Sequence, residues 1–440
     1  MDTNTRRHAL LVRAILLGAL ALTLLGGAGG ARADGLPARE FPDTTDGIFV
    51  FNDQLTLSRL SEAQIRFAAT HYVGTQKITR GEARRLREYN PNFLVLHYRL
   101  AQALGYRVPD EDCRPTGGWI TIVDGDEWVR EWPGDDVVQE EWFYHWDGSR
   151  VYGCDWGHYL MDIEDPSWRE WWSTQVIQQL LANEDDGVFA DSFHVPNYGF
   201  TWRPPLPVVD PESEAEWARR EHAFTDYMRA RFAGRWKWIP NIGGLVTTRD
   251  PSDYSNVDGA MIEGFAAPGR GRWYPPFDWR LEMDRLLPLV RADKIILAQT
   301  YPEASDVQAR LFMLSCYLLI KGRHTYVNLE LGGGPDWLPE YGIDLGPPAE
   351  PVPAAISQLL HPEWQVYARR YAKGLVLVNP GDETREVDLG VTHYAVCPEG
   401  GGFVAEDGTA PGTLAFRPVE RLTLGPHQGA VLLRERPESR

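Results

Sequence analysis

Short apolar runs recur along this chain, separated by segments with helical periodicity, and that alternation restricts the fold more than any other feature. Eight runs read as strands: GIFVFN (47–52), FAATHYV (67–73), FLVLHYR (93–99), GVFADS (187–192), KWIPNI (237–242), GAMIEGF (259–265), KIILAQTY (294–301) and HTYVNLE (324–330). Strands that alternate with helices predict an α/β fold with a parallel sheet. Eight such strands are the number that closes a (β/α)8 TIM barrel.

The intervening segments supply the helices. In DPSWREWWSTQVIQQLLANEDD, Asp165 stands at an N-cap position with Pro166 at the first helical position, and Trp168, Trp171, Trp172, Val176 and Leu180 then recur at i+3/i+4 spacing. Trp217, Phe224, Met228 and Phe232 repeat that pattern in the 211–236 segment. SDVQARLFMLSCYLLIKGRH is apolar nearly all round, as expected of a helix packed on both sides. These tryptophans read first as core.

Between the third and fourth strands the chain is too long for one helix, which predicts an insertion at about 105–160. Inside it, WDGS between aromatic runs signals a hairpin. Trp142, Tyr144 and Trp146 there either wall a cleft or pack the insertion. Cys113 and Cys154 flank one irregular stretch and are expected to form a disulfide, whereas Cys316, in LFMLSCYLLI, reads as a buried thiol. Past Glu330 the composition turns rich in Gly and Pro. The expected organisation is a barrel over 34–345, a linker over 346–362 and a small C-terminal antiparallel β-sandwich domain over 363–440.

At the N-terminus, Arg6, Arg7 and Arg13 precede an apolar run from Ala14 to Leu25, and Ala31-Arg32-Ala33 fits an A-x-A cleavage site. Residues 1–33 therefore read as an export signal, and the mature chain is expected to be secreted or otherwise extracytoplasmic. The run is about 12 residues, short of the roughly 20 that span a bilayer. Without those residues, 40 basic and 61 acidic side chains remain, a net charge of −21. Such a surface disfavours nucleic acid and anionic membranes and suits a neutral partner.

The ring of strand ends predicted for the barrel's C-terminal face is crowded with polar groups. Asn52, Asp53, Tyr72, His97, Tyr98, Asn241, Tyr301 and Glu330 stand there, with His194 just beyond the fourth strand. These are the candidate substrate-binding residues. Two carboxylates stand out because each ends a short apolar strand begun by Asp-Gly: Asp191 in DGVFADS and Glu263 in DGAMIEGF. Cleavage of a glycosidic bond needs such a pair, one to stabilise or attack the oxocarbenium-like centre and one to protonate the leaving oxygen. In the plainer alternative, Asp191 caps the next helix and Glu263 pairs with Arg270 or Arg272.

FPDTTDGIFVFNDQL, LREYNPNFLVLHYRL, PSWREWWSTQVIQQLLANEDDGVFADS, VDGAMIEGF and VYARRYAKGLVLVNP resemble the glycoside hydrolases of the hypothetical family 15 type, over about residues 40–435. The resemblance implies a TIM barrel with a C-terminal β domain and a carbohydrate substrate. At fold level the chain is also similar to retaining glycosidases with a nucleophilic Asp after strand four and an acid/base carboxylate after strand six. That implies Asp191 as nucleophile and Glu263 as acid/base.

Other chemistries find less support. No H-E-x-x-H occurs and strand one ends in Asn52-Asp53 without an H-x-H pair, so no metal is expected. Ser192 is not in a G-x-S-x-G elbow, and neither a P-loop nor a dinucleotide fingerprint is present. No cofactor is expected. The reading is an exported glycoside hydrolase acting on a poly- or oligosaccharide; its rivals are a catalytically silent carbohydrate-binding barrel and a polysaccharide lyase.

Overall fold

The computed structural model describes residues 39–105, 107–119, 136–198, 201–243, 250–332 and 334–437. The expected export signal and residues 120–135 of the insertion lie outside these. Eight parallel strands form one sheet: β1 Val50–Gln54, β2 Tyr72–Gln76, β3 Leu94–Leu100, β4 Gly187–Asp191, β5 Lys237–Pro240, β6 Gly259–Glu263, β7 Ile295–Thr300 and β8 Thr325–Leu329. Their spatial order is β5-β4-β3-β2-β1-β8-β7-β6. A bridge between Asn241 and Met261 joins β5 to β6 and closes the barrel. Six α-helices lie among the described residues: α1 Glu62–His71, α2 Arg80–Tyr89, α3 Pro166–Asn183, α4 Pro211–Phe232, α5 Pro276–Arg291 and α6 Val307–Ile320.

Strand residues alternate between two apolar layers, because successive side chains point to opposite faces. Phe51, Leu96, Tyr98, Phe189, Ile239, Met261 and Leu297 fill the barrel interior. Their neighbours Val50, Val95, Val188, Trp238, Ile262 and Ile296 face the helices. The helical residues singled out above join that outer layer: Trp168, Trp172, Val176 and Leu180 are buried on α3, and Trp217, Phe224, Met228 and Phe232 on α4. Asp165 caps α3 by accepting from the N–H groups of Ser167 and Trp168.

The Asp-Gly pairs that open β4 and β6 have a shared physical role. A Cβ on Gly187 would lie 2.6 Å from the Lys237 carbonyl oxygen, and one on Gly259 2.5 Å from that of Ile295, so only glycine lets these strands approach their neighbours. The aspartates before them accept the backbone N–H of an adjacent strand: Asp186 from Val95 at 2.9 Å and Asp258 from Trp238 at 3.0 Å.

One expected strand needs correction. Residues 67–71 belong to α1, and β2 starts at Tyr72. Ser61 and Gln64 form a capping box, in which the Ser61 hydroxyl accepts the Gln64 N–H (3.1 Å) and the Gln64 side chain accepts the Ser61 N–H (2.9 Å). Ile65, Phe67, Ala68 and Ala69 then bury one helical face. Five of the seven residues of the apolar run FAATHYV are helical, and the strand end moves on to Gln76.

Within the insertion, His145–Trp146 pairs with Ser149–Arg150 across Asp147 and Gly148, both at positive φ, which makes the WDGS turn. Trp142 stacks on Trp171 and Tyr144 packs against the edge of Trp217, so these aromatics pack the insertion and do not wall the cleft described below. Cys113 and Cys154 are bridged, with Cα atoms 5.2 Å apart, and Cys316 is buried and free.

The C-terminal strands β9 Tyr367–Arg370, β10 Gly374–Asn379, β11 Arg385–Glu399, β12 Thr413–Leu424 and β13 Gln428–Leu433 form a five-stranded antiparallel sheet in the order β9-β10-β13-β11-β12. Its docking to α6 is polar as well as apolar. Arg369 donates to the carbonyls of Leu318, Leu319 and Lys321, which end α6 and carry the negative pole of the helix. Barrel and sheet belong to one compact unit, Arg39–Arg440. Within 346–362, Ile356 is buried and its N–H donates to Asp284 of α5, so this stretch packs on the barrel.

Candidate active site

Asp191 and Glu263 both lie two residues beyond an interior side chain, Phe189 on β4 and Met261 on β6. Alternation therefore turns both carboxylates into the barrel mouth. A cleft of about 850 Å³ opens there, and both acids line it together with Asp53, Tyr98, His194 and Asn241. Its volume falls in the upper part of the range for small-molecule sites, about 300–1,000 Å³.

Asn241 connects the two acids. Its side-chain amide nitrogen donates to Asp191 Oδ1 at 2.9 Å and to Glu263 Oε2 at 2.8 Å. The two oxygens therefore lie at most the sum of those legs, 5.7 Å, apart. If they follow the amide's two N–H directions, about 120° apart, the separation is about 5 Å. Asn241 reaches this position because it follows β5 at the barrel's closing bridge.

Each acid has further donors. Tyr98 donates to Asp191 Oδ2 at 2.5 Å and the Ser192 N–H to Oδ1 at 2.8 Å, so three donors converge on this carboxylate. Tyr301 donates to Glu263 Oε1 at 2.5 Å, and Gln299 in turn donates to the Tyr301 hydroxyl at 2.8 Å. Burial, followed by the charge of Glu263, raises the Tyr301 phenol well above its ordinary range and keeps it a donor. Neither acid follows the plainer alternative. Arg270 pairs with Glu303, Arg272 donates to the Pro268 carbonyl, and the cap of the next helix, α4, is Asp210.

Lys77 was not among the residues expected here. It follows β2, has the left-handed φ of 59°, and bonds Asp53 at 3.0 Å. Its ammonium lies 5.2 Å from the Tyr98 ring centre. Burial works against its charge, but the carboxylates of Asp53, Asp191 and Glu263 outweigh burial and raise its pKa. The signal that would have found it was the capping box at Ser61, which relocates the end of β2. His158 and Trp156, from the insertion, also line the cleft. Burial lowers His158 to about 4 despite the nearby Asp191 and Asp155 charges, so it is a neutral hydrogen-bonding group at ordinary pH.

Three residues expected at the rim lie elsewhere. Asn52 follows the interior Phe51, so it points outward, where it is buried and accepts from Thr75 on β2. His97 follows the interior Leu96 and also points outward, to Gln179 of α3 (2.9 Å) and to the buried Asp185 (3.3 Å). Tyr72 begins β2 instead of ending it; its ring is buried in the outer layer and donates to the Asp336 carbonyl. Glu330 has the inward parity but is buried beside the cleft, accepting from Asn328 at 2.9 Å. Burial and the Asp53 charge raise its pKa. Among the described residues no group of three or more His, Cys, Asp or Glu side chains is placed to hold a metal ion.

A family model described as "Hypothetical glycosyl hydrolase family 15" matches residues 87–375, more than half of the chain. No curated protein matches it. Solved structures similar to this chain include the GH36 alpha-galactosidase AgaA of Geobacillus stearothermophilus, with 11% identity, a TM-score of 0.41 and coverage of 88% of this chain and 55% of that one. The noncanonic maltogenic alpha-amylase AmyB of Thermotoga neapolitana gives 10%, 0.38, 87% and 98%. A cycloisomaltooligosaccharide glucanotransferase of Paenibacillus sp. gives 10%, 0.36, 88% and 55%, so this chain spans about half the length of that protein.

Proposed function

The chain belongs to hypothetical glycosyl hydrolase family 15, and from that premise we propose that it is an exported, retaining glycoside hydrolase acting on a poly- or oligosaccharide. In this reading Asp191 is the nucleophile and Glu263 the general acid/base. The observation that carries it is the single amide of Asn241 shared by both carboxylates. Retaining enzymes hold their carboxyl groups about 5–5.5 Å apart, whereas inverting enzymes need about 6.5–9.5 Å to admit a water. The two oxygens that share the amide lie within 5.7 Å of each other, and that closeness is what supports the retaining reading.

The roles follow from the donors around each acid. Asp191 faces three donors, an arrangement that suits an anion held ready to attack the anomeric carbon. Glu263 is the more open of the two and has an exit to solvent, as a group that gives a proton to the leaving oxygen and later takes one from water requires. Attack by Asp191 forms a glycosyl ester as Glu263 protonates the departing sugar. Water deprotonated by Glu263 then hydrolyses that ester. Asp53, Lys77 and His194 line the same cleft and are assigned to sugar hydroxyls. Export is supported by the N-terminal sequence pattern and by the disulfide, which persists in oxidising compartments.

Hydrolysis of a panel of oligosaccharides by Asp191→Asn and Glu263→Gln variants tests the assignment. Loss of about 10²-fold or more in each is expected. Near wild-type rates in either variant would remove that residue from the mechanism. NMR of the first-formed product tests retention separately, an inverted anomer rejecting it.

A further inference from the structure

Trp156 is 60% exposed, and it is the one exposed large apolar side chain among the described residues that lines the cleft. A single exposed indole is ordinary on a protein surface; this one is set apart by its place in the cleft and by the backbone that carries it. The backbone beneath it is tightly held. Strands Tyr152–Gly153 and His158–Leu160 pair across the turn that carries it, and the Gly157 N–H donates to the Gly153 carbonyl at 2.8 Å. Cys154 donates through its N–H to the Thr201 carbonyl at 2.8 Å, and Asp155 accepts the Thr201 N–H at 2.6 Å. The disulfide from Cys154 to Cys113 lies two residues from the tryptophan. Side chain open, backbone fixed: this is how a surface is prepared for a flat ligand.

We infer that Trp156 is the stacking platform of a second sugar subsite, which holds the ring next to the one attacked between Asp191 and Glu263. The inference rests on the glycosidase reading of the cleft. The C–H face of a pyranose is apolar and weakly electropositive, and it complements the negative face of an indole. The cleft, at about 850 Å³, has room beyond the acids for that ring. The substrate class that follows is a neutral glycan of at least two units, recognised partly through the ring that is not attacked.

The test uses the full chain carrying Asp191→Asn, so that sugars bind without turnover. Calorimetric titration with glucose, galactose and xylose, then with maltose, isomaltose, cellobiose, xylobiose and the corresponding trisaccharides, gives the affinity gained per added ring. The expected result is a gain of about tenfold or more from one ring to two, lost in Asp191→Asn/Trp156→Ala and partly restored in Asp191→Asn/Trp156→Phe. Removal of the disulfide by Cys113→Ser/Cys154→Ser should shrink the same gain. An undiminished gain in the Trp156→Ala protein overturns the platform, as does failure of every sugar to bind. Failure of the glycosidase reading looks different: the sugars bind with the Trp156 dependence described, yet the wild-type chain cleaves none of them.

Discussion

Replacing Glu282 by Gln should make the stability of this protein less dependent on pH. Glu282 is buried on α5, where one carboxyl oxygen accepts the Ala266 N–H at 2.9 Å, three residues beyond Glu263. Burial pushes its pKa from 4.5 up to about 8, against the smaller opposing effect of that hydrogen bond. Between those values the unfolded chain has released the proton while the folded chain keeps it, so rising pH favours unfolding. From pH 5 to 8.5 the linkage amounts to a loss of about 4 kcal/mol, fully present as stability only on the acid side. Glutamine keeps an acceptor for Ala266 and has no proton to release, so it should abolish that loss. The assay is urea denaturation of wild type and Glu282→Gln at pH 5 and 8.5. The wild-type stability should fall by up to about 4 kcal/mol more than the variant's over this interval. Parallel falls in the two proteins would show that Glu282 ionises freely and that the reasoning from burial is wrong.

Two other perturbations have defined outcomes. Asn241→Ala removes two hydrogen bonds to carboxylates, each worth about 1.5–3 kcal/mol, and should lower kcat/KM on a cleaved oligosaccharide by about 10²-fold with the circular dichroism spectrum intact; a change under about threefold removes its bridging role. Arg310 and Glu340 pair at 2.7 Å with neither side chain exposed, so Arg310→Met alone should cost about 3–5 kcal/mol in denaturant titration, and adding Glu340→Leu should recover much of it. Additive losses in the double variant would show that the two charges do not depend on each other.

Much of the fold could be read from local pattern. Apolar runs located seven of the eight barrel strands to within a few residues, the N-cap Asp165 with Pro166 located α3, and the spacing of Trp217, Phe224, Met228 and Phe232 located α4. The failure at 67–73 was also local, since Ser61-x-x-Gln64 announces α1. Asn52 and His97 were misplaced because strand-end position was read without parity. Counting in twos from Phe51, Leu96, Phe189, Ile239 and Met261 separates Asp53, Tyr98, Asp191, Asn241 and Glu263 inside from Asn52 and His97 outside.

What the sequence determined by itself is therefore the set of short-range decisions: which segments are strands, which are helices, and which acids end a buried strand. Backbone periodicity and capping act over a few residues, and their traces lie in adjacent letters. The tertiary structure alone decided that β5 meets β6, and so that one amide from Asn241 reaches two carboxylates whose residues lie 50 and 22 positions away. It likewise brought Lys77 under Tyr98 and carried Trp156 from the insertion to the cleft. The Asn241 bridge depends on barrel closure, and the other two contacts on the pairing of β2 with β3 and on the docking of the insertion, long-range events with no marker in any one stretch of the chain.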